Sequence, residues 1–103
     1  MIIYIAGPMT GYPGWNKVRF ESAEIDLSLD GHTVLNPARH IPMWNPEAIT
    51  HEQYMKIAFA MIDTCDTIYL LNGWRDSKGA TQEYKYAVQH DKNILFEIEG
   101  EPE

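Results

Sequence analysis

Residues 2–11 read IIYIAGPMTG, an unbroken apolar run from Ile2 to Ala6 that stops at Gly7-Pro8. A short run with no polar alternation suits a strand covered on both faces, as in the interior of a parallel sheet. Its β-branched isoleucines fit a pleated surface. The stretch that follows, GPMTGYPG, is rich in Gly and Pro and reads as a loop leading to a helix that starts near Trp15. Strand, glycine loop and helix in that order set the pattern expected of the rest.

From Trp15 to Leu29, Phe20, Ala23 and Leu27 share one helical face, and Asp30-Gly31 is a stop signal. Strand alternation across Ala23, Ile25, Leu27 and Leu29 is the competing reading. His32 to Leu35 forms a second strand ended by Asn36-Pro37. The next segment, PARHIPMWNPEAITH, contains Pro37, Pro42 and Pro46, which exclude one long helix. It reads as an extended loop that either covers a pocket or simply crosses the surface. Thr50 caps a helix in which Tyr54, Ile57, Ala58, Met61, Ile62 and Cys65 recur at three- and four-residue steps. Met55 and Phe59 carry the apolar surface onto another face, which points to a subunit contact. Asp66 precedes TIYLL, a third strand broken by Asn72-Gly73. Beyond the WRDSKG loop, Ala80, Tyr84, Ala87 and Val88 make a helical stripe, and His90 to Asn93 lead into the strand Ile94-Leu95-Phe96.

The order of elements predicts an α/β fold: an open, mostly parallel sheet of four or five strands with helices on both faces, a flavodoxin-like or Rossmann-like three-layer arrangement. With 103 residues and 45% hydrophobic side chains, residues 1–98 form one domain, and the acidic tail 99–103 is expected to fray.

Composition removes several function classes. A net charge of -7 with no basic run excludes a duplex nucleic-acid footprint. The leading apolar run is too short for a membrane span or a signal peptide, so no membrane partner is expected. A single cysteine, Cys65, fits a reducing, cytoplasmic setting, and its place on a buried stripe makes it a poor nucleophile. His32, His40, His51 and His90 lack close ligand spacing, so no metal is expected. AGPMTGYPG is not G-x-G-x-x-G and no Walker motif is present, which ranks dinucleotide and ATP chemistry low; no cofactor is expected.

In an open parallel sheet, ligands bind beyond the C-terminal ends of the strands. Two glycine loops meet there, residues 7–14 and residues 72–79, so Gly7, Pro8, Met9 and Gly79 are candidates for close backbone contact with a ligand. The segment WRDSKGATQEYKYA, residues 74–87, reads as the entrance to a nucleotide- or sugar-binding helix. Ser77 either caps that helix, a role Asp76 could also fill, or presents its first-turn amides to a phosphate or sugar oxygen. Glu83 lies four residues after Gly79, at the flank of the stripe. Either it stabilises the helix, or it is a carboxylate kept ionised by the positive helix end, as a nucleophile requires. Tyr4 precedes the AGPMTG turn and either packs in the core or holds Glu83. Asp66 caps the preceding helix or reaches the pocket floor. Trp74 stacks on a base, shields the site, or covers a surface.

YIAGPMTG, DTCDTIYLLNGW and SKGATQEYKYA together resemble the nucleoside 2-deoxyribosyltransferase superfamily, in particular its small phage- and prophage-associated branch. The resemblance spans Ile2 to Phe96. It implies that Glu83 is the nucleophile at the anomeric carbon, displacing the base to leave a glycosyl-enzyme that water or a second base resolves. It also implies that Tyr4 orients Glu83. Ser77 falls where nucleoside-transferring members hold the sugar with an aspartate, and where the branch that hydrolyses 2-deoxynucleoside 5-monophosphates has a serine near the phosphate. One position departs from the pattern: eight residues before Asp66 those groups have an aspartate that assists the leaving base, and this chain has Ala58. Three readings stand: cleavage of an N-glycosidic bond in a small nucleotide or nucleoside, binding of such a molecule without turnover, and a structural or protein-interaction domain. For the superfamily a homodimer sharing its site is expected.

Overall fold

A computed structural model describes residues 1–40 and 48–97. Four strands, β1 (Ile2–Ala6), β2 (Thr33–Leu35), β3 (Thr67–Leu70) and β4 (Asn93–Phe96), form one sheet in the order β2-β1-β3-β4. Every pairing is parallel, with Tyr4 beside Leu35 on one flank and Ile68 on the other. The helices are α1 (Lys17–Leu29), α2 (Pro37–His40), α3 (His51–Thr64) and α4 (Lys78–Gln89).

The chain leaves β1 for β2, then returns across β1 to reach β3. Right-handed crossovers in opposite directions place helices on opposite faces, and side-chain alternation along β1 shows the division. Ile5 packs with Phe20 and Ala23 of α1, whereas Tyr4 and Ala6 pack with Ala58 and Ile62 of α3 and Ala80 and Ala87 of α4. β1 is therefore covered on both sides, which is why its sequence is apolar without alternation.

Local signals account for the boundaries. Thr50 accepts from the Gln53 amide at 3.1 Å while the Gln53 side chain accepts from the Thr50 amide at 2.8 Å, a reciprocal capping box at the start of α3. Ser77 accepts from the Ala80 amide at 3.1 Å to open α4. Gly73, at φ 89, turns the chain out of β3, a conformation costly for any residue with a Cβ. Gly7 is needed for a different reason. A Cβ there would meet Leu71 side-chain carbons at 2.8 Å, so β1 and the end of β3 approach as closely as they do only across a glycine.

The shared face of α1 is present: Phe20 and Ala23 are buried and Leu27 packs against their cluster, while Val18, Ile25 and Leu29 are exposed. Three expectations require correction. Val88 does not join the stripe that packs on the sheet but is exposed. Met55 and Phe59 need no second subunit, because Met55 is buried within the chain and Phe59 stacks on Tyr86 of α4 at 4.2 Å between ring centres. The proline-rich segment opens with the short helix α2 rather than with loop; its remainder, residues 41–47, lies outside the described residues, as does the tail 99–103.

Candidate functional site

β1 and β3 lie side by side where the direction of strand addition reverses, and the crevice beyond their C-terminal ends is the place such a sheet offers a ligand. A cavity of about 630 Å³ opens there, within the range of small-molecule sites. One wall is the loop after β1, with Gly7, Pro8, Met9, Tyr12 and Trp15. Facing it are Thr50, His51 and Tyr54 from α3 and Ser77, Lys78, Gly79 and Glu83 from α4.

The loop wall is held in an unusual conformation. Gly14, Trp15 and Asn16 occupy the left-handed region at φ 57, 58 and 62. Asn16 is buried, and its side-chain amide donates to the Pro8 carbonyl at 2.9 Å, closing the loop on itself. Two non-glycine residues in that region are a local strain of order 1–3 kcal/mol each, tolerated because this contact and the packing of Trp15 over-determine it.

Glu83 is only 2% exposed, yet it lines the cavity. It sits in the second turn of α4, where the helix turns its side chain inward toward β1, and the Tyr4 hydroxyl donates to its Oε2. Burial pushes its carboxyl up to about 8, against the smaller opposing effect of the Tyr4 hydrogen bond. The expectation that the positive helix end keeps Glu83 ionised is therefore overturned. The helix field falls off within the first turn, and desolvation of a fully enclosed carboxylate exceeds it. Tyr4, itself fully buried, is raised well above its ordinary value by burial and by the neighbouring Glu83 charge. Tyr54 is raised for the same two reasons. Its hydroxyl donates to the Met9 sulfur at 3.5 Å.

The N-termini of α3 and α4 both open on this cavity, so their unsatisfied amides direct positive potential into it. Lys78 adds a cation at the same end. His51 is fixed by a 2.8 Å hydrogen bond between its Nε2 and the Gln82 side chain. A Cβ at Gly79 would have its nearest neighbours, His51 and Met55, 3.9 Å away; what glycine gives here is a bare backbone at the cavity floor. The opposite wall carries Trp15 and Tyr12. The arrangement thus offers an aromatic side, an anion-attracting side, and a buried carboxyl in the same cavity.

Of the residues singled out in the sequence, Tyr4 and Glu83 are in direct contact, and Gly7, Pro8, Met9, Ser77 and Gly79 line the cavity. Asp66 and Trp74 are not with them. Asp66 is exposed at the N-terminal end of β3, the far end of the sheet. There it accepts from the Ile2 amide at 3.1 Å and the Thr67 hydroxyl at 2.7 Å, bonds that hold its carboxyl below the usual range. Trp74 is buried in the core, 4.8 Å from Tyr84 and 6.2 Å from Phe96 between ring centres, and it is displaced from the cavity because the loop after β3 turns it inward. Cys65 is buried, with its thiol pushed up to about 11, as a structural cysteine should be. Sequence reasoning missed Tyr12, Trp15, His51, Tyr54 and Lys78 as cavity residues. Tyr54 was legible only as one member of the α3 stripe, and Trp15 only as a helix start. Among the described residues no three His, Cys, Asp or Glu side chains converge as a metal site would require, and no helix is long and apolar enough to cross a membrane.

Known structures share this architecture. A 2-desoxiribosyltransferase from Leishmania mexicana superposes with a TM-score of 0.69 at 21% identity, over 92% of this chain and 62% of that one. The CMP N-glycosidase BcmB of Clostridium botulinum superposes with a TM-score of 0.64 at 20% identity, over 99% of this chain and 75% of that one. At these identities the likeness establishes the deoxyribosyltransferase and N-glycosidase fold, and this chain spans under two-thirds of the Leishmania protein. No curated protein matches the sequence. Residues 1–96, nearly the whole chain and every strand of the sheet, match one family throughout, and the protein therefore belongs to the family described as Domain of unknown function (DUF4406).

Proposed function

We propose that this protein is an enzyme that cleaves the N-glycosidic bond of a small nucleotide or nucleoside. Glu83 attacks the anomeric carbon; the bond to the base breaks with its electron pair going to the base; and a glycosyl ester on Glu83 is resolved by water or by a second base. Tyr4 holds the attacking oxygen. Ser77, Gly79 and the first-turn amides of α4 take a sugar hydroxyl or a phosphate, and Gly7, Pro8 and Met9 close the opposite side. Trp15 and Tyr12 give the base an aromatic surface. The carboxylate supplies the covalent chemistry, so the reading needs no metal or cofactor.

The observation that carries this reading is the enclosed Glu83 carboxyl, 2% exposed and bonded to Tyr4 beside a cavity of about 630 Å³. A helix that only had to pack on the sheet would place an apolar residue there and avoid the desolvation cost. The two superposable structures, a deoxyribosyltransferase and a CMP N-glycosidase by their names, agree with the chemistry. Lys78 and the two helix ends favour a 5-monophosphate over an unphosphorylated nucleoside. The same proposal places the protein in the small phage- and prophage-associated branch, in the cytoplasm, as a homodimer.

The test is incubation of the wild-type protein and Glu83→Gln with a panel of nucleosides and ribo- and deoxyribonucleoside 5-monophosphates, with released base measured by chromatography. Wild type releases base and the variant does not; mass spectrometry of the quenched wild-type reaction finds a pentosyl adduct on Glu83. Equal release by both proteins would remove Glu83 as nucleophile. A second reading, nucleotide binding without turnover, is favoured by Ala58 lying fully buried among apolar neighbours and by the protonated state of Glu83 at neutral pH. Saturable binding by both proteins with no release by either would establish it.

A further inference from the structure

A nucleophile at Glu83 meets one half of a displacement. The bond that breaks leaves its electron pair on the base, and a donor that bonds this growing charge more strongly than the resting base lowers the barrier. Beside the glycosidic nitrogen the base presents an acceptor, O2 in a pyrimidine and N3 in a purine. The α3 wall offers the cavity Thr50, His51 and Tyr54; one turn beyond Tyr54 stands Ala58, fully buried among apolar side chains. Tyr54 is thus the deepest polar group on that wall.

Its depth matches that of the nucleophile. Helices α3 and α4 lie side by side and both begin at the cavity. Their register is pinned at the mouth, where His51 bonds Gln82 at 2.8 Å and its ring lies 3.9 Å from a Cβ placed on Gly79. From that level Tyr54 is one turn along α3 and Glu83 one turn along α4, roughly 5–6 Å in each case. Carboxyl and phenol therefore line the cavity at nearly the same depth from adjacent helices. The direction of the phenol is also defined. Its hydroxyl donates to the Met9 sulfur, 3.5 Å away on the loop after β1, so it reaches across toward the facing wall. A thioether is a weak acceptor, which a base oxygen or nitrogen entering the cavity replaces readily.

We infer that Tyr54 is a catalytic residue that touches the leaving base, its hydroxyl moving from the Met9 sulfur to the acceptor beside the glycosidic nitrogen. The inference rests on the glycosidase reading of the same site. The hydroxyl donates a hydrogen bond and keeps its proton. Glu83 attacks as the carboxylate, having lost its own proton to water. Its oxygen bonds the anomeric carbon while the carbon–nitrogen bond breaks and the electron pair goes to the base. The base departs as an anion bonded to Tyr54 and takes a proton from water on release, so the protons balance through solvent. Because the bond strengthens as charge develops, its loss falls on kcat and leaves KM nearly unchanged.

The experiment compares wild type with Tyr54→Phe on the best-cleaved purine 5-monophosphate and on its 3-deaza analogue, in which a carbon–hydrogen group replaces the N3 acceptor; for a pyrimidine-selective protein the analogue lacks O2. Taking each variant-to-wild-type ratio on the same substrate cancels the analogue's own leaving ability. Tyr54→Phe should lose about 10- to 10²-fold in kcat on the parent nucleotide, the size expected for one hydrogen bond to a developing charge. On the analogue it should stay within about threefold of wild type, which also shows that it is folded. A fluorotyrosine placed at position 54 alone keeps the packing and strengthens the donor. It should raise kcat on the parent and leave the analogue unchanged, so the test stands even if Tyr54→Phe folds poorly. Equal effects on both substrates, or none on the parent, overturn the role of Tyr54 and leave the glycosidase reading intact. Failure of wild type to release base from any nucleotide overturns that reading, and this inference with it.

Discussion

Replacing Glu83 with Gln should make the protein more stable at neutral pH while ending its chemistry. The unfolded chain holds this carboxyl at about its ordinary 4.5, and the folded chain pushes it up to about 8. Between those values the folded state binds the proton more tightly than the unfolded state does. Stability from this group is therefore full below about pH 4.5, falls as pH rises through the interval, and levels off above about pH 8. At about 1.4 kcal/mol per pH unit, the loss approaches about 3 kcal/mol at pH 7 and about 5 kcal/mol in the alkaline limit. Gln is close to isosteric, keeps an acceptor for the Tyr4 hydroxyl, and does not titrate. Urea unfolding of both proteins at half-unit steps from pH 4.5 to 9 measures the difference directly. The curves should meet near pH 4.5 and separate progressively, until at pH 7 the midpoint of the variant lies about 1–3 M higher. Other titrating groups cancel in the comparison. Parallel pH dependences for the two proteins would refute the claim that an enclosed carboxyl opposes the fold.

Gly7→Ala puts a carbon 2.8 Å from the Leu71 side chain between two paired strands, so a loss of about 1–3 kcal/mol is expected in thermal or chemical unfolding. Trp15→Ala removes an aromatic cavity wall and should weaken nucleotide binding by about 1–3 kcal/mol in calorimetry. Trp74→Phe, in the core and away from the cavity, should leave that affinity within about twofold of wild type. Thr50→Ala breaks the capping box that opens α3 and should cost about 1 kcal/mol, read as faster amide exchange in the first turn of that helix.

The parallel sheet and its helical layers were legible because β1, β3 and their flanking glycines are unambiguous: a solid apolar run has few other uses in a chain this short. The pairing of Tyr4 with Glu83 was anticipated from the resemblance, and the spacing from Gly79 to Glu83 agreed with it. What failed has specific physical causes. Asp66, open to a capping role or to the pocket floor, precedes a strand rather than following one, which puts it at the opposite end of a parallel sheet from the cavity. Trp74 follows β3 and so passed that test, but the left-handed turn at Gly73 sends it into the core. The protonation of Glu83 depends on total enclosure, which no local pattern reports. Trp15 reaches the cavity only because three successive left-handed residues redirect the loop. The Gln53 half of the capping box, by contrast, was readable as Thr50-x-x-Gln53 and was overlooked.

The Tyr4–Glu83 contact joins residues 79 positions apart, and the pairing of Ile3 with Thr67 spans most of that distance. During synthesis at roughly 5–20 residues per second, Tyr4 leaves the ribosome about 4–16 s before its partner. For most of that time the flank of β1 that β3 will occupy is an unsatisfied, apolar edge, since neither β3 nor α4 yet exists to cover it. The centre of the sheet closes first, and the site is completed only when α4 follows. A nascent chain stopped before α4 has no cavity to protect and an exposed strand to offer, and such fragments are natural clients for chaperones and proteases.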